Sequence, residues 1–150
     1  MAASAFTLYS KAKKKIGNGT IPLSSGNYRV KLCTSAASAA VNLASRSLLS
    51  SCTPEISARG GYVAAGRLLA TPVWTVGATT ASYKFDAADL VFTASLSSLI
   101  NVKYAVIGAS VAGGVHALCF TRLTSGTQFT VTSPNTLTIV FDALGIFTLT

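Results

Sequence analysis

The chain has one histidine, His116, in the run Val115-His116-Ala117-Leu118-Cys119, and any general base of the usual kind would have to be built on it. The nearest nucleophile is Ser110 in Gly108-Ala109-Ser110-Val111-Ala112-Gly113. Its G-x-S-x-x-G spacing misses the G-x-S-x-G turn that lifts a catalytic serine out of a sheet. Cys33, Cys52 and Cys119 are odd in number and lack C-x-x-C spacing, so neither a disulfide framework nor a zinc site is suggested and buried thiols are expected. His116 and Cys119 lie three residues apart, which in a regular strand predicts opposite faces and no shared metal. Asp86 and Asp89 flank two alanines at a strand boundary, where Asp commonly bonds nearby backbone to make a turn. Neither Gly60-Gly61 nor Gly113-Gly114 is followed by Lys and then Ser or Thr, so no phosphate cradle is predicted. The expectation is a chain that is not an enzyme, with no metal and no cofactor.

The strongest binding signal is the cluster Lys11, Lys13, Lys14 and Lys15, with Arg29 and Lys31 further on. The net charge of +8 lies entirely in the first 70 residues, where Glu55 is the sole acid. Beyond them Lys84, Lys103 and Arg122 cancel Asp86, Asp89 and Asp142. Charged residues make only 11% of the composition, far below the usual quarter or so. A surface so poor in charge is poorly soluble by itself, which predicts a subunit of an assembly. In that reading Lys11, Lys13, Lys14, Lys15, Arg29 and Lys31 bind an acidic protein surface. Nucleic acid is disfavoured, because stacking calls for aromatics among the cations and only Tyr9 and Tyr28 are near.

These residues need elements to hold them. Ala5, Leu8, Tyr9, Ala12 and Ile16 recur at three- and four-residue steps and predict a short amphipathic N-terminal helix, with Gly17 as its stop and Gly17-Asn18-Gly19 as a turn. Asn18-Gly19-Thr20 matches a glycosylation sequon, but the turn carries the weight. Tyr28, Val30 and Leu32 alternate with Arg29, Lys31 and Cys33, a strand with two cations on the face opposite the apolar one. Residues 35–49 are Ala- and Ser-rich and read as a helix. Strands follow at 67–76, 83–85, 91–96, 102–108, 115–123, 128–131 and 136–141, separated by Gly, Pro, Ser and Asp. Leu137, Ile139 and Phe141, then Ile146, Phe147 and Leu149 beyond a turn at 142–145, predict a C-terminal hairpin that closes the core or an oligomer. The sum is a single domain over residues 1–150, basic over about 1–70 and β-rich and uncharged over about 71–150. Its class is mainly β, an antiparallel β-sandwich or partly closed barrel with a short N-terminal helix.

The uncharged stretch Tyr104–Thr121 has 18 residues, just within reach of a membrane span. His116, Ser110 and the Gly113-Gly114 pair predict strands there instead, and no membrane partner. The order of charge at the N-terminus, with Met1–Tyr9 uncharged and lysines after it, is the reverse of a secretory leader. Folding in a cytoplasm is the expectation.

Two stretches carry a resemblance. Residues 5–13, Gly19-Thr20-Ile21-Pro22-Leu23 and Tyr28-Arg29-Val30-Lys31-Leu32 resemble the opening of a family of small tailed-phage virion proteins. Val102-Lys103-Tyr104-Ala105-Val106-Ile107 and the terminal Phe141-Asp142-Ala143-Leu144-Gly145-Ile146-Phe147-Thr148-Leu149-Thr150 resemble its close, and 61–69 fits loosely between. The match covers about a third of the chain and is one of patterns. Family members tend to be richer in acids, whereas this chain has Ala- and Ser-rich loops and the lysine cluster. The resemblance implies a virion component made and assembled in the host cytoplasm, foremost a capsid decoration or cement protein on the major capsid protein, with tail, neck or fibre attachment as the alternative. It implies other virion proteins as partners and a homo-oligomer, a trimer by preference, and brings no catalytic residue.

Overall fold

A computed structural model describes residues 5–150; the first four residues of the stretch compared above with a leader lie outside it. The fold is mainly β and sandwich-like, built of antiparallel sheets, with two short helices and no closed barrel among the described residues.

The main sheet has five strands in the order β1-β9-β8-β2-β3, where β1 is Thr7–Leu8, β2 Asn27–Cys33, β3 Arg67–Leu68, β8 Tyr104–Val111 and β9 Gly114–Arg122. Its centre, β8, is the apolar stretch Tyr104-Ala105-Val106-Ile107, buried on both faces, as a run without polar alternation requires. The stretch weighed against a membrane span is therefore the β8–β9 hairpin, turning at Gly113-Gly114. No helix among the described residues is long and apolar enough to cross a membrane. On one face, Tyr28 of β2 meets Phe85 at 4.7 Å between ring centroids. Phe85 belongs to a three-stranded sheet of β4 (Val73–Val76), β5 (Tyr83–Asp86) and β12 (Phe147–Leu149), in the order β12-β5-β4. Two ribbons complete the layer, β6 (Leu90–Thr93) with β11 (Thr136–Ile139) and β7 (Leu99–Val102) with β10 (Phe129–Val131). The opposite face is covered by the segment between β2 and β3, whose Val41, Leu49 and Cys52 are buried.

Several expectations need correction. The N-terminal helix, α1, spans only Ser10–Gly17, because Thr7 and Leu8 pair with Phe120 and Cys119 as an edge strand. Tyr9 stays extended and donates its hydroxyl to the Val41 carbonyl at 2.8 Å, a buried bond that helical backbone there would forfeit. Gly19, not Gly17, takes the left-handed conformation, at φ 76°, after Asn18 caps the helix. The Ala/Ser segment forms one 3-10 turn and a one-turn helix, α2 (Ser38–Val41). Asn42 there bonds both the carbonyl and the hydroxyl of Ser38, the local competition that makes Ser and Asn poor helix formers. The strand read across 67–76 breaks at Thr71 (φ 48°) and Pro72, which has no N–H to give a ladder. The predicted C-terminal hairpin does not form: β11 pairs with β6 and β12 with β5, so the turn at 142–145 carries the chain from one sheet to the next. Gly145 makes this possible at φ 93°, where a Cβ would stand 2.8 Å from the Phe85 carbonyl oxygen.

Candidate docking surface

The cations do not form one patch. Lys11, Lys13 and Lys14 are exposed on α1, whose Ala12 is buried and whose Ile16 packs on the core. Lys15, at the same helix end, turns inward. Its ammonium lies 2.5 Å from His116 Nδ1 and 3.3 Å from the Ser47 hydroxyl. Accepting from an ammonium there requires a neutral imidazole with its proton on Nε2. Burial, and then the neighbouring Lys11 charge, push the Lys15 ammonium below its ordinary pKa.

Lys31 differs from the sequence expectation most. It stands on the same face of β2 as Arg29, yet it is 4% exposed and cannot be surface charge. Its ammonium lies 3.4 Å from Glu55 Oε2 and 3.4 Å from the Leu49 carbonyl. Glu55 is held independently, because its Oε1 accepts from the Tyr62 hydroxyl at 2.6 Å and from the Ala65 amide at 2.8 Å. Tyr62 in turn accepts from the Leu32 amide at 3.0 Å, tying the network to β2. Burial and the bond to Glu55 raise the Tyr62 pKa, so it remains a donor. Sequence reading missed this network; the one signal was that Glu55 is the only acid among the first 70 residues.

Beside Lys31 lies an open groove of about 980 Å³. Arg29 and Lys31 form its floor, Leu48–Ser50, Thr53 and Glu55 one wall, and Ala64, Ala65 and the β8–β9 turn the other sides. Gly108 lets Leu49 lie on the sheet at its edge, since a Cβ there would meet Leu49 Cδ2 at 2.8 Å. Arg29 is half-buried and donates from Nη1 to the Gly66 carbonyl at 3.4 Å.

The residues singled out for catalysis do not converge. Register places Ser110 opposite Val115 and His116 opposite Ala109, so the two side chains leave the sheet on opposite faces. A bulge shifts the register between Ile107 and Gly108, adding one residue on β9. His116 and Cys119 consequently share a face, against the alternation read from sequence. Among the described residues no group of His, Cys, Asp and Glu is placed to hold a metal. All three cysteines are free and buried, and burial pushes the Cys33 thiol up to about 12. Asp86 accepts from the Ala87 amide and pairs with Lys84 at 3.1 Å, while Asp89 accepts from the Phe141 amide. Both serve the local backbone. Asn18 likewise accepts from the Thr20 amide and hydroxyl, the expected turn.

The C-terminal set is packed inside. Leu137, Ile139, Phe141, Ile146 and Phe147 are buried and Leu149 half-buried, with Phe147 5.3 Å from Phe85 between ring centroids. On the uncharged half, β4 is an edge strand bearing exposed Val73 and Val76, beside exposed Tyr83 of β5. Leu96 and Leu144 also project into solvent. Comparison with protein-family models, with curated proteins and with solved structures finds no match to this chain.

Proposed function

We propose that the chain is a non-enzymatic structural subunit of a tailed-phage particle, foremost a decoration or cement protein that stabilises capsomer contacts. The observation that carries this reading is the division of the surface. The exposed Lys11, Lys13 and Lys14 and the Arg29 groove lie on the basic half, while the uncharged half presents the β4 edge with Val73, Val76 and Tyr83. Edge strands with apolar side chains are association sites unless something covers them. The cations supply electrostatic steering to an acidic shell, and apolar contact summed over many copies, at roughly 25 cal/mol per Å², supplies stability. Closed symmetry suits such a role, and a trimer matches the threefold positions of a shell. The likeness of the chain's opening and close to small tailed-phage virion proteins supports the same reading, with the major capsid protein as partner and the virion as location.

Protein is favoured over nucleic acid as the partner because Tyr9 and Tyr28, the aromatics nearest the lysines, are buried and cannot stack on bases. The alternative is a tail, neck or fibre-attachment subunit, in which the β4 edge would build a ring or tube. Quantitative mass spectrometry of separated heads and tails distinguishes the two. Recovery with heads in tens to hundreds of copies is expected, and recovery with tails alone moves the assignment to the alternative.

A further inference from the structure

We infer that the groove beside β2 is a binding site for an extended, carboxylate-bearing peptide segment of a partner protein, with Arg29 as its anchor. The inference rests on the reading of the chain as a docking subunit and names what one docking element recognises.

Charge decides the ligand's sign. Among the described residues that line the groove, the ionised groups are Arg29, Lys31 and Glu55. Lys31 and Glu55 neutralise each other at 3.4 Å, and Glu55 spends its other oxygen on Tyr62 and Ala65. The surplus positive charge is therefore that of Arg29. Its single bond to Gly66, at 3.4 Å, is long, and most guanidinium N–H donors have no acceptor among the described residues. A planar fork of donors on a half-buried strand position matches a carboxylate, which it can hold by two parallel bonds.

Size and lining decide the class. A volume of about 980 Å³ is far more than a simple anion fills and lies at the upper end of the roughly 300–1,000 Å³ of small-molecule sites. The groove is open at the Gly113-Gly114 turn, where a Cβ on either glycine would meet no atom within 4 Å, so a chain can run out of that end. Leu48, Leu49, Ala64, Ala65 and Val115 give the walls an aliphatic character suited to side chains flanking a carboxylate. None of the described aromatic residues lines it, so a nucleic acid would find phosphate contact but nothing on which to stack a base.

The test is an NMR titration of the ¹⁵N-labelled full chain with an acetylated, amidated hexapeptide of alternating Leu and Glu, compared with its Gln counterpart. Saturable shifts are expected at the amides of Arg29, Ala65, Ser110 and Gly114, with affinity at least about tenfold weaker for the Gln peptide and for Arg29→Gln. Arg122→Gln, which removes the same charge from an exposed site on β9, should bind as the parent chain does, and the dispersion of each spectrum verifies folding. Absence of shifts up to millimolar peptide, equal affinity for both peptides, or shifts confined to Lys11–Lys14 overturns the inference. Saturable groove shifts with a thymidine oligonucleotide but not with the peptide would make it a nucleic-acid site. Attachment to particles fails separately: groove binding by a chain that attaches to no particle keeps this inference and overturns the virion reading, and particle attachment without groove shifts does the reverse.

Discussion

Replacing Glu55 by Gln should destabilise the protein more than replacing its partner Lys31 by Met, although both changes break the same ion pair. The amide oxygen introduced by Glu55→Gln would still accept from the Tyr62 hydroxyl and the Ala65 amide, so the substitution removes charge and little else. What remains is an ammonium with 5% of its side chain exposed and one carbonyl contact at 3.4 Å. Leaving a buried charge unpaired costs about 3–5 kcal/mol. Glu55 keeps 20% of its side chain exposed and the groove admits water, which lowers the expected cost to about 2 kcal/mol. For a chain of 150 residues that is a fall in Tm of about 4–8 °C. Lys31→Met leaves a carboxylate that still has two neutral donors, at a cost of about 1 kcal/mol. The double variant carries no unpaired charge and should match Lys31→Met, giving a favourable coupling of about 2 kcal/mol in a double-mutant cycle. Thermal and urea unfolding followed by circular dichroism measure all four proteins. Glu55→Gln no less stable than Lys31→Met would refute the reasoning and mean that water in the groove, not Glu55, solvates Lys31.

Alkaline pH should unfold the protein. Burial raises Cys33 from 9.0 and Tyr28 from 10.0, each to about 12. Their contribution is fully present below the unfolded values and disappears as pH rises towards 12, with Cys33 alone supplying on the order of 4 kcal/mol by the end of that window. A Tm unchanged from pH 8 to 12 would contradict this. Deleting Gly145–Thr150 removes β12 and uncovers Phe85, so sedimentation should show aggregate, whereas a soluble chain of normal stability would mean that β12 is dispensable. Gly108→Val should push Leu49 off the sheet at a cost of about 1–3 kcal/mol, read by urea unfolding, with an unchanged midpoint as the contrary result.

Much of the fold was legible where period and burial agree. Tyr28, Val30 and Leu32 alternate as a half-covered strand should, and Tyr104–Ile107 reads as a strand buried on both faces. The failures arose where tertiary contacts override local preference. Leu8 and Tyr9 fit a helical stripe as well as an edge strand, and only the presence of β9 and Val41 decides between them. Strands β11 and β12 have the pattern of a hairpin, yet each finds a better partner among strands some forty to sixty residues earlier. Lys31 shows the limit most clearly for the site. Alternation correctly set it on the same face as Arg29, but no local signal says that Glu55, 24 positions on, is folded over it and makes it part of the interior.

The central claim, docking to an acidic protein shell through the basic half, is tested most directly by co-sedimentation with empty, genome-free shells at low and high salt. The account predicts saturable attachment of the parent chain, weakened by salt, and at least about tenfold weaker attachment when Lys11, Lys13 and Lys14 are all replaced by Gln. Attachment unchanged by these substitutions and by salt, or no attachment to shells together with binding to DNA, would contradict it.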